Sequence, residues 1–135
     1  MLDWIATGSG SPRGWLGEDS LTARRERCGR TTWLKLYGVL NWRTAERFRE
    51  EVEGALLVPC RRVVVDLSEV EYVGGDILRA LYDLHEQLSL MGTELRLVVP
   101  EGSRCARSVA LTGLDSIIPT FPDATHAWRH RHGHE

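Results

Sequence analysis

Residues 63–67 read Val-Val-Val-Asp-Leu, and this short run constrains the fold more than any other part of the sequence. Valine is favoured in strands because its branched side chain fits the pleated surface of a sheet. The run does not alternate between apolar and polar residues, as a strand with one face in water would. We therefore expect a central strand that other elements cover on both faces. Such strands are typical of parallel sheets joined by helices, so the run predicts an α/β fold.

Two amphipathic helices flank this strand in the sequence. In each helix apolar residues recur at a spacing of three or four, which places them on one face. The first helix uses Ala45, Phe48, Val52, Ala55 and Leu56, and the second uses Ile77, Leu78, Leu81, Leu84, Leu88 and Met91. Residues with short oxygen-bearing side chains are typical N-caps, and they precede each stripe: Asn41 and Thr44 the first, and Asp76, after the turn Gly74-Gly75, the second.

The remaining elements continue the alternation of strand and helix. Residues 21–27 and 31–37 predict a hairpin with a glycine-containing turn. After the second helix we expect a buried strand at 94–99, a helix at 103–111, a short strand at Ile117-Ile118 and a last helix after Pro122 and Asp123. This order predicts a mixed, mainly parallel β-sheet with helices packed against it and right-handed crossovers between the parallel strands.

The chain of 135 residues has the size of one ordinary domain. Residues 1–19 are rich in glycine and serine and lack a hydrophobic period, which predicts a flexible N-terminal arm. We expect the tryptophans of this arm, Trp4 and Trp15, to dock either on the domain or on a partner, and docking on the chain's own surface is favoured. Residues 20–129 form the predicted domain, and residues 130–135 form a polar tail of histidine and arginine.

The charge and the cysteine content limit which binding partners and which cellular compartment we expect. With 17 Lys and Arg against 19 Asp and Glu, the formal net charge of -2 predicts no general attraction to nucleic acid or to an anionic membrane. The sequence has no run of 18 apolar residues, and its first residues lack a basic region followed by an apolar run, so we expect neither membrane insertion nor export. Its three cysteines lack a CxxC spacing, which favours reduced thiols in a cytoplasmic protein.

Motifs for catalysis or for cofactor binding are lacking, so we expect neither an enzyme nor a bound cofactor or metal. The turn Gly74-Gly75 opens a helix whose amides could receive an anion such as phosphate. Asp76 would repel that anion, and a structural turn is favoured. Three alternating histidines in the tail could share a transition metal, but nothing folded is expected around them to orient their rings.

Four segments, in this order and spacing, resemble STAS domains and above all the bacterial anti-sigma factor antagonists. They are residues 34–41 with Thr44 and Ala45, residues 63–67 with Val70, Tyr72 and Val73, residues 95–100, and residues 111–114 with Ile117 and Ile118. They match, in turn, the family's strand and capped helix, its central strand with the loop after it, its next strand, and the exit of its third helix. The resemblance covers about residues 21–128 and implies the STAS fold, a mixed sheet with helices packed on it.

The resemblance also implies a function in protein binding. Members of that family bind an anti-sigma factor that is often a serine kinase, and phosphorylation of a loop serine by this partner switches binding off. Gly75 stands where the family has the phosphorylated serine, with Gly74 and Asp76 in place of its neighbours and Ile77 in place of the next glycine. The acceptor hydroxyl is therefore missing. Asn41 stands where the family commonly has aspartate.

From this alignment we expect the partner-binding site at Asn41, Arg43, Thr44, Gly74, Gly75, Asp76, Leu78 and Arg79. The main hypothesis is an anti-sigma factor antagonist, or an antagonist-like STAS protein, whose kinase-controlled switch is lost or altered. The alternatives are a non-phosphorylatable STAS scaffold and a module that senses a small ligand, a nucleotide or a lipid. Asp76 either mimics a phosphate or only caps its helix, and capping is favoured. Homodimerisation stays open.

Overall fold

The computed structural model describes residues 20–129, and the predicted arm at 1–19 and tail at 130–135 lie outside the described residues. Strands β1 to β5 are Leu21–Cys28, Thr31–Leu40, Arg62–Val73, Glu94–Val98 and Thr120–Phe121. Helices α1 to α4 are Ala45–Ala55, Gly75–Leu90, Arg104–Thr112 and Ala124–Arg129, and a 3-10 helix covers Leu114–Ser116. Helices and strands thus alternate after the hairpin, as the sequence predicts.

The five strands form one mixed sheet in the order β1-β2-β3-β4-β5. β1 is antiparallel to β2, and the other neighbouring strands are parallel. The hairpin turn between β1 and β2 contains Gly29, whose φ of 64° lies in the left-handed region that glycine adopts without a steric penalty. The mixed, mainly parallel sheet predicted from the sequence is confirmed.

β3 is the central strand, as the run at 63–67 predicts. The three valines and the leucine of that run are at most 1% exposed, because neighbouring strands and helices cover both faces. β3 is longer than expected, since residues 70–73, which the family resemblance assigned to a loop, continue the pairing with β2 as far as Leu40. Two irregularities in the register, on either side of Gly38, allow the two strands to stay paired over this extra length.

Helices α1, α2 and α3 pack on one face of the sheet. The apolar stripes of these helices meet inward-pointing leucines and valines of β2, β3 and β4. This core includes Leu34, Leu36, Phe48, Val52, Val63, Val65, Ile77, Leu81, Leu88, Leu95, Leu97 and Val109. Full burial of one such side chain contributes roughly 1.5–3 kcal/mol, so this layer holds most of the hydrophobic stabilisation.

The short helix α4 lies on the other face of the sheet. Its Ala127 is fully buried against Val64 and Val98, whose side chains point away from the main core. The ring of Trp128 lies 6.0 Å from the ring of Trp33 on β2. α4 therefore covers the second face of the sheet over β2, β3 and β4.

The last strand differs from the prediction. Ile117 and Ile118, expected to form it, instead close the 3-10 helix, and the amides of both donate to the carbonyl of Leu114 at 2.9 Å. Ile118 is fully buried, so its apolar character reflects packing in the core rather than strand pairing. β5 begins two residues later, at Thr120.

α2 is the longest of the described helices, with 16 residues. A helix needs about 20 consecutive apolar residues to cross the hydrocarbon core of a bilayer. Within residues 20–129, no helix has the length and the apolar character that such a crossing requires.

Candidate functional site

Two loops meet at the carboxyl ends of β2 and β3. Because these strands are parallel neighbours, β2 ends at Leu40 directly beside the end of β3 at Val73. The amide of Gly74 donates a hydrogen bond of 2.8 Å to the carbonyl of Leu40, which ties the two loops together. The structure therefore brings together the two groups of residues selected from the sequence, one around Asn41 and one around Gly74-Gly75.

The loop from β2 to α1 is held by its own polar side chains. The Asn41 Oδ1 accepts hydrogen bonds from the amides of Arg43 and Thr44, at 2.9 and 3.2 Å. The Thr44 hydroxyl donates to the carbonyl of Val39 at 2.8 Å and accepts from the Asn41 amide at 3.0 Å. Thr44 is the N-cap residue by position, but its hydroxyl is engaged in the loop and makes no bond to the helix amides. Asn41 and Thr44 thus shape the turn before α1 rather than capping the helix as predicted.

The start of α2 also differs from the prediction. The N-cap is Gly74, which has an extended conformation and no side chain to cap the helix, and Asp76 is the second residue of the helix. A carboxylate in the first turn still interacts favourably with the positive end of the helix dipole. The prediction that Asp76 caps this helix was therefore wrong in its geometry, because the helix begins two residues earlier than expected.

The two glycines at this turn differ in the space around them. A Cβ on Gly75 would meet no atom within 4 Å. A Cβ on Gly74 would lie 3.0 Å from Oδ1 of Asp76. A serine side chain therefore fits at position 75 without rearrangement, and the absence of a hydroxyl there is a property of this sequence rather than a steric requirement of its fold.

Some of the expected site residues are exposed to solvent, and others are buried. Arg43, Gly75, Asp76 and Arg79 are exposed, and Asn41 is half-buried. Arg79 forms a surface ion pair with Asp83, with 3.6 Å between Nε and Oδ1. Three further residues do not present a side chain: Gly74 is buried, Thr44 is buried in the loop, and Leu78 packs in the main core. Their part is to hold the turn and the helix in place.

Two exposed aromatic residues at the same edge were missed by the sequence reasoning. Trp42 is 71% exposed, and the guanidinium of Arg43 lies 4.9 Å from the centre of its ring. Tyr72 is 49% exposed and lies beside the Gly74 turn. A tryptophan in a polar loop was the available signal for Trp42, whereas Tyr72 belongs to the family motif but was not assigned to the binding site. We call Asn41, Trp42, Arg43, Tyr72, Gly75, Asp76 and Arg79 the carboxyl-edge surface.

A groove of about 420 Å³ runs between α1 and α2 and reaches this surface at Asp76. Its floor is apolar and includes Phe48, Val52, Ile77 and Leu84. Charged residues from both helices line its rim: Glu46, Arg49 and Glu53 from α1, and Asp76 and Asp83 from α2. Since Arg49 is paired with Glu46, the rim carries a net negative charge.

Glu51, Cys105 and Asp123 have displaced pKa values and lie outside the carboxyl-edge surface. Burial raises the pKa of Glu51, although the charge of Arg47 opposes this. Burial also raises the pKa of the Cys105 thiol, which makes it a weaker nucleophile at neutral pH. Hydrogen bonds from the amide and ring of His126 lower the pKa of Asp123. Each of these shifts arises from packing or from a local hydrogen bond.

The three cysteines form no disulfide: Cys28 is exposed, Cys60 is half-buried and Cys105 is buried. Between residues 20 and 129, no three His, Cys, Asp or Glu side chains are grouped so that they could hold a metal ion. The tail histidines considered as metal ligands lie outside the described residues.

Comparison with known proteins gives one match to a family model. Residues 23–119 match the family described as Mlab, STAS domain. No curated protein is significantly similar to the chain. Among solved structures, an anti-sigma factor antagonist from Mycobacterium paratuberculosis is similar, with 26% sequence identity and a TM-score of 0.74, over 82% of this chain and 92% of that one.

Two further solved structures are less similar in sequence and support the fold alone. The protein TM1081 from Thermotoga maritima is 22% identical with a TM-score of 0.63, over 77% of this chain and 89% of that one. The anti-sigma factor antagonist SpoIIAA in its unphosphorylated form is 15% identical with a TM-score of 0.55, over 79% of this chain and 93% of that one. The family match covers well over half of the chain, and the sheet order and helix placement agree with it, so the chain belongs to the STAS domain family.

Proposed function

We propose that this chain is an anti-sigma factor antagonist that binds an anti-sigma factor of the serine kinase type through its carboxyl-edge surface. The observation that carries the proposal is the composition of that surface. Exposed Trp42 follows Leu40 by two residues and exposed Tyr72 precedes Gly74 by two, the two residues whose backbones are hydrogen-bonded, and the exposed start of α2 at Gly75 and Asp76 comes next. Exposed aromatic and arginine side chains are enriched at the centres of protein interfaces. The similar structure from Mycobacterium paratuberculosis, an anti-sigma factor antagonist, supports this role.

Under this proposal the chain acts by binding, in the cytoplasm, and not as an enzyme. The partner covers the carboxyl-edge surface and extends into the neighbouring groove between α1 and α2. The apolar floor of the groove supplies contact area, and its acidic rim favours basic side chains on the partner. Complementary charge of this kind raises the rate and the specificity of association more than the affinity.

We also propose that the partner cannot switch binding off by phosphorylation at the start of α2. Phosphorylation acts there by adding nearly two negative charges to a surface that must fit the partner. Gly75 has no hydroxyl, and within residues 72–79 Tyr72 carries the only one. Asp76 places one permanent negative charge on the next residue, in the first turn of α2. Binding would therefore be set by the amounts of the two proteins rather than by a kinase cycle at this loop.

A small anionic ligand at the same loop is less favoured than a protein. The amides at the start of α2 are suited to phosphate. However, an oxygen of the Asp76 carboxylate lies only 3.0 Å from the position of a Cβ on Gly74, which places a negative charge at the turn itself. Native mass spectrometry of the freshly purified protein, showing no bound nucleotide or lipid, is the expected result.

Calorimetric titration of the protein with each purified anti-sigma factor of its source organism tests the proposal. We expect one of them to bind, with or without nucleotide, and binding to weaken in the variants Trp42→Ala and Arg79→Glu. Trp128→Ala and Arg129→Glu are matched controls, since both residues are exposed on α4, on the other face of the sheet. Binding to none of the anti-sigma factors, or equal loss in the control variants, would contradict it.

A further inference from the structure

Exposed apolar side chains are concentrated at the amino ends of the parallel strands, opposite the carboxyl-edge surface. Within residues 20–129, nine large apolar residues are exposed. Six of them lie in the last turn of a helix or in the connection that follows it: Leu57, Val58, Leu90, Met91, Leu111 and Ile117. This follows from the topology, because α1, α2 and α3 each run from the carboxyl end of one strand back to the amino end of the next.

Hydrogen bonds join the connections at this end into one surface. The amide of Arg61, before β3, donates to the carbonyl of Arg30 in the hairpin turn at 2.8 Å. The Thr93 hydroxyl, before β4, donates to the carbonyl of Cys60 at 3.1 Å. The turns that follow α1 and α2 are therefore neighbours, and their apolar side chains lie on the same end of the molecule.

Four of these apolar residues surround the two bonded turns and are unusually accessible. Leu57 is 82% exposed, Leu90 88% and Met91 66%, and Val58 is also exposed. A soluble domain seldom leaves a group of large aliphatic side chains in water without a use for them. We call Leu57, Val58, Leu90 and Met91, together with Arg30 and Arg61, the amino-end patch.

Positive charge accompanies these apolar residues. Arg30 and Arg61 are exposed, and neither has an ion-pair partner among residues 20–129. Arg27 adds a third cation, held in place by donation from Nη2 to the carbonyl of Pro59 at 2.6 Å. Glu94, at the start of β4, has its charge balanced by contacts with two arginines.

Two further acids lie near this end within the last turns of α1 and α2, and a third, exposed Asp115, lies in the connection after α3, away from the two bonded turns. Glu53 precedes the end of α1 and lines the groove, and Glu86 is exposed one turn before the end of α2. Neither is in the bonded turns that carry Arg30 and Arg61. The outermost charges of the amino-end patch are therefore positive.

We propose that the amino-end patch docks the domain on an anionic lipid surface. Aliphatic side chains at turns can enter the boundary between headgroups and acyl chains, while arginines at the same level meet lipid phosphates. A fluid bilayer adapts to the apolar side chains of each separate turn, whereas a protein partner would need a matching cavity for each turn. Docked in this way, the domain directs its carboxyl-edge surface away from the lipid, where a protein partner reaches it. The inference does not depend on the proposed function.

Co-sedimentation of the full chain with lipid vesicles tests this inference. The probes are vesicles of phosphatidylcholine alone and vesicles of phosphatidylcholine and phosphatidylglycerol in equal parts. We expect binding to the second kind, much weaker binding to the first, and a decrease with added salt, because salt screens exposed charges. One basic residue near an anionic leaflet contributes a factor of about five in affinity, so the double variant Arg30→Glu, Arg61→Glu is expected to bind at least about 25-fold more weakly.

An apolar variant and two controls complete the test. Leu90→Asp removes an accessible side chain without touching the core, and should reduce vesicle binding while circular dichroism stays unchanged. Ala124→Asp introduces the same charge as Leu90→Asp, and Arg104→Glu makes the same change as each half of the double variant. Both control residues are exposed at the starts of α3 and α4, at the other end of the sheet, and both variants should leave vesicle binding nearly unchanged.

Three results would overturn the inference. The first is that the wild-type chain does not bind anionic vesicles. The second is that the controls weaken binding as much as the patch variants, which would indicate general charge attraction. The third is that the wild-type chain self-associates in analytical ultracentrifugation, does not bind vesicles, and becomes monomeric with Leu90→Asp, which would make the patch an interface between copies.

Discussion

The carbonyl oxygen of Ser20 lies 2.2 Å from the position that a Cβ on Gly38 would occupy. Gly38 also has a φ of 117°, which side chains rarely tolerate. The same Ser20 oxygen accepts a hydrogen bond of 3.0 Å from the amide of Val39. This close approach seats the start of β1 against the end of β2, just before the loop that begins the carboxyl-edge surface.

Gly38→Ala is expected to lower the free energy of unfolding by at least about 2 kcal/mol, because it adds both a clash with backbone and a strained φ. Gly92→Ala is the matched control, since Gly92 has a φ of 79° and open space around its Cβ position. It should cost only about 1 kcal/mol, the strain alone. Urea denaturation measures the free energy of unfolding of both variants. Equal losses in Gly38→Ala and Gly92→Ala would show that the Ser20 carbonyl moves aside without an energetic cost.

Gly75→Ser is expected to change the free energy of unfolding by less than about 1 kcal/mol, because the site has room for the side chain and glycine is a poor helix residue. Thermal unfolding checks this. With ATP and the kinase-type anti-sigma factor that binds the chain, the variant should gain a phosphate on residue 75 and lose binding, while the wild type gains none. Mass spectrometry that places a phosphate on residues 72–79 of the wild type would contradict the proposed loss of the switch.

Trp42→Ala is expected to weaken binding of the anti-sigma factor about 30-fold, equivalent to about 2 kcal/mol, which is typical of an aromatic residue at the centre of an interface. The fold should be unaffected, since Trp42 is largely exposed. Calorimetry gives the affinity, and Trp128→Ala on α4 controls for the loss of any exposed tryptophan. Unchanged affinity in Trp42→Ala would remove this residue from the interface.

Arg96 is fully buried beneath α4 and depends on few partners. Its Nη1 donates to the carbonyl of Ala127 at 2.5 Å, and its Nε lies 3.2 Å from Oε2 of Glu94. Its Nη2 has no hydrogen-bond partner, and the guanidinium lies 5.3 Å from the centre of the Phe121 ring. Glu94 is thus the anion that balances a cation without access to water.

Glu94→Gln is expected to lower the free energy of unfolding by about 2–3 kcal/mol, because it leaves the Arg96 charge buried without a counter-ion. Arg96→Met, which removes the charge and keeps much of the volume, should cost less. Arg62→Gln is the control for the second ion pair of Glu94, which is partly exposed and contributes at most about 1 kcal/mol. Denaturant unfolding gives the free energy of unfolding of the three variants. A larger loss of stability in Arg96→Met than in Glu94→Gln would contradict the role of Glu94 as the counter-ion of a buried charge.

Glu51 should make stability depend on pH in a defined direction. Burial raises its pKa in the folded state above the ordinary value of a glutamate, so the folded chain binds this proton more readily than the unfolded chain. The contribution of Glu51 to the free energy of unfolding therefore increases as the pH falls from neutral. The increase occurs between the raised pKa of the folded chain and the pKa of the unfolded chain. Glu51→Gln should be at least as stable as wild type at neutral pH, and its advantage should shrink as the pH falls. A difference that stays constant with pH would contradict the shift.

Much of the fold follows from residues close together in the sequence. The unbroken apolar run at 63–67 predicts the central strand, and the spacing of apolar residues predicts the inner faces of α1 and α2. These predictions hold because strand and helix periods determine which side chains share a face before any long-range contact forms. The presence of Ser103 before α3 and Gly113 after it is equally local, since Ser103 accepts from the Ala106 amide and Gly113 adopts a positive φ.

Other features required contacts between distant residues. Ile118 is apolar because it fills the core, and nothing nearby in the sequence distinguishes this from strand pairing. The continuation of β3 to Val73 depends on β2, which bends near Gly38 to stay paired with it. The sequence likewise predicted a cap at Asp76, whereas the end of β3 is held by the bond from Gly74 to Leu40 and starts α2 earlier.

The sequence by itself determined the family, the order of the elements and the two loops of the candidate site, because these depend on patterns within short segments. Only the tertiary structure decided that Leu78 points into the core, that Trp42 and Tyr72 are exposed near the bonded ends of β2 and β3, and that the apolar turns after α1 and α2 share one end. Exposure is a property of the assembled layers: whether a side chain meets water depends on which strands and helices, distant in sequence, cover it.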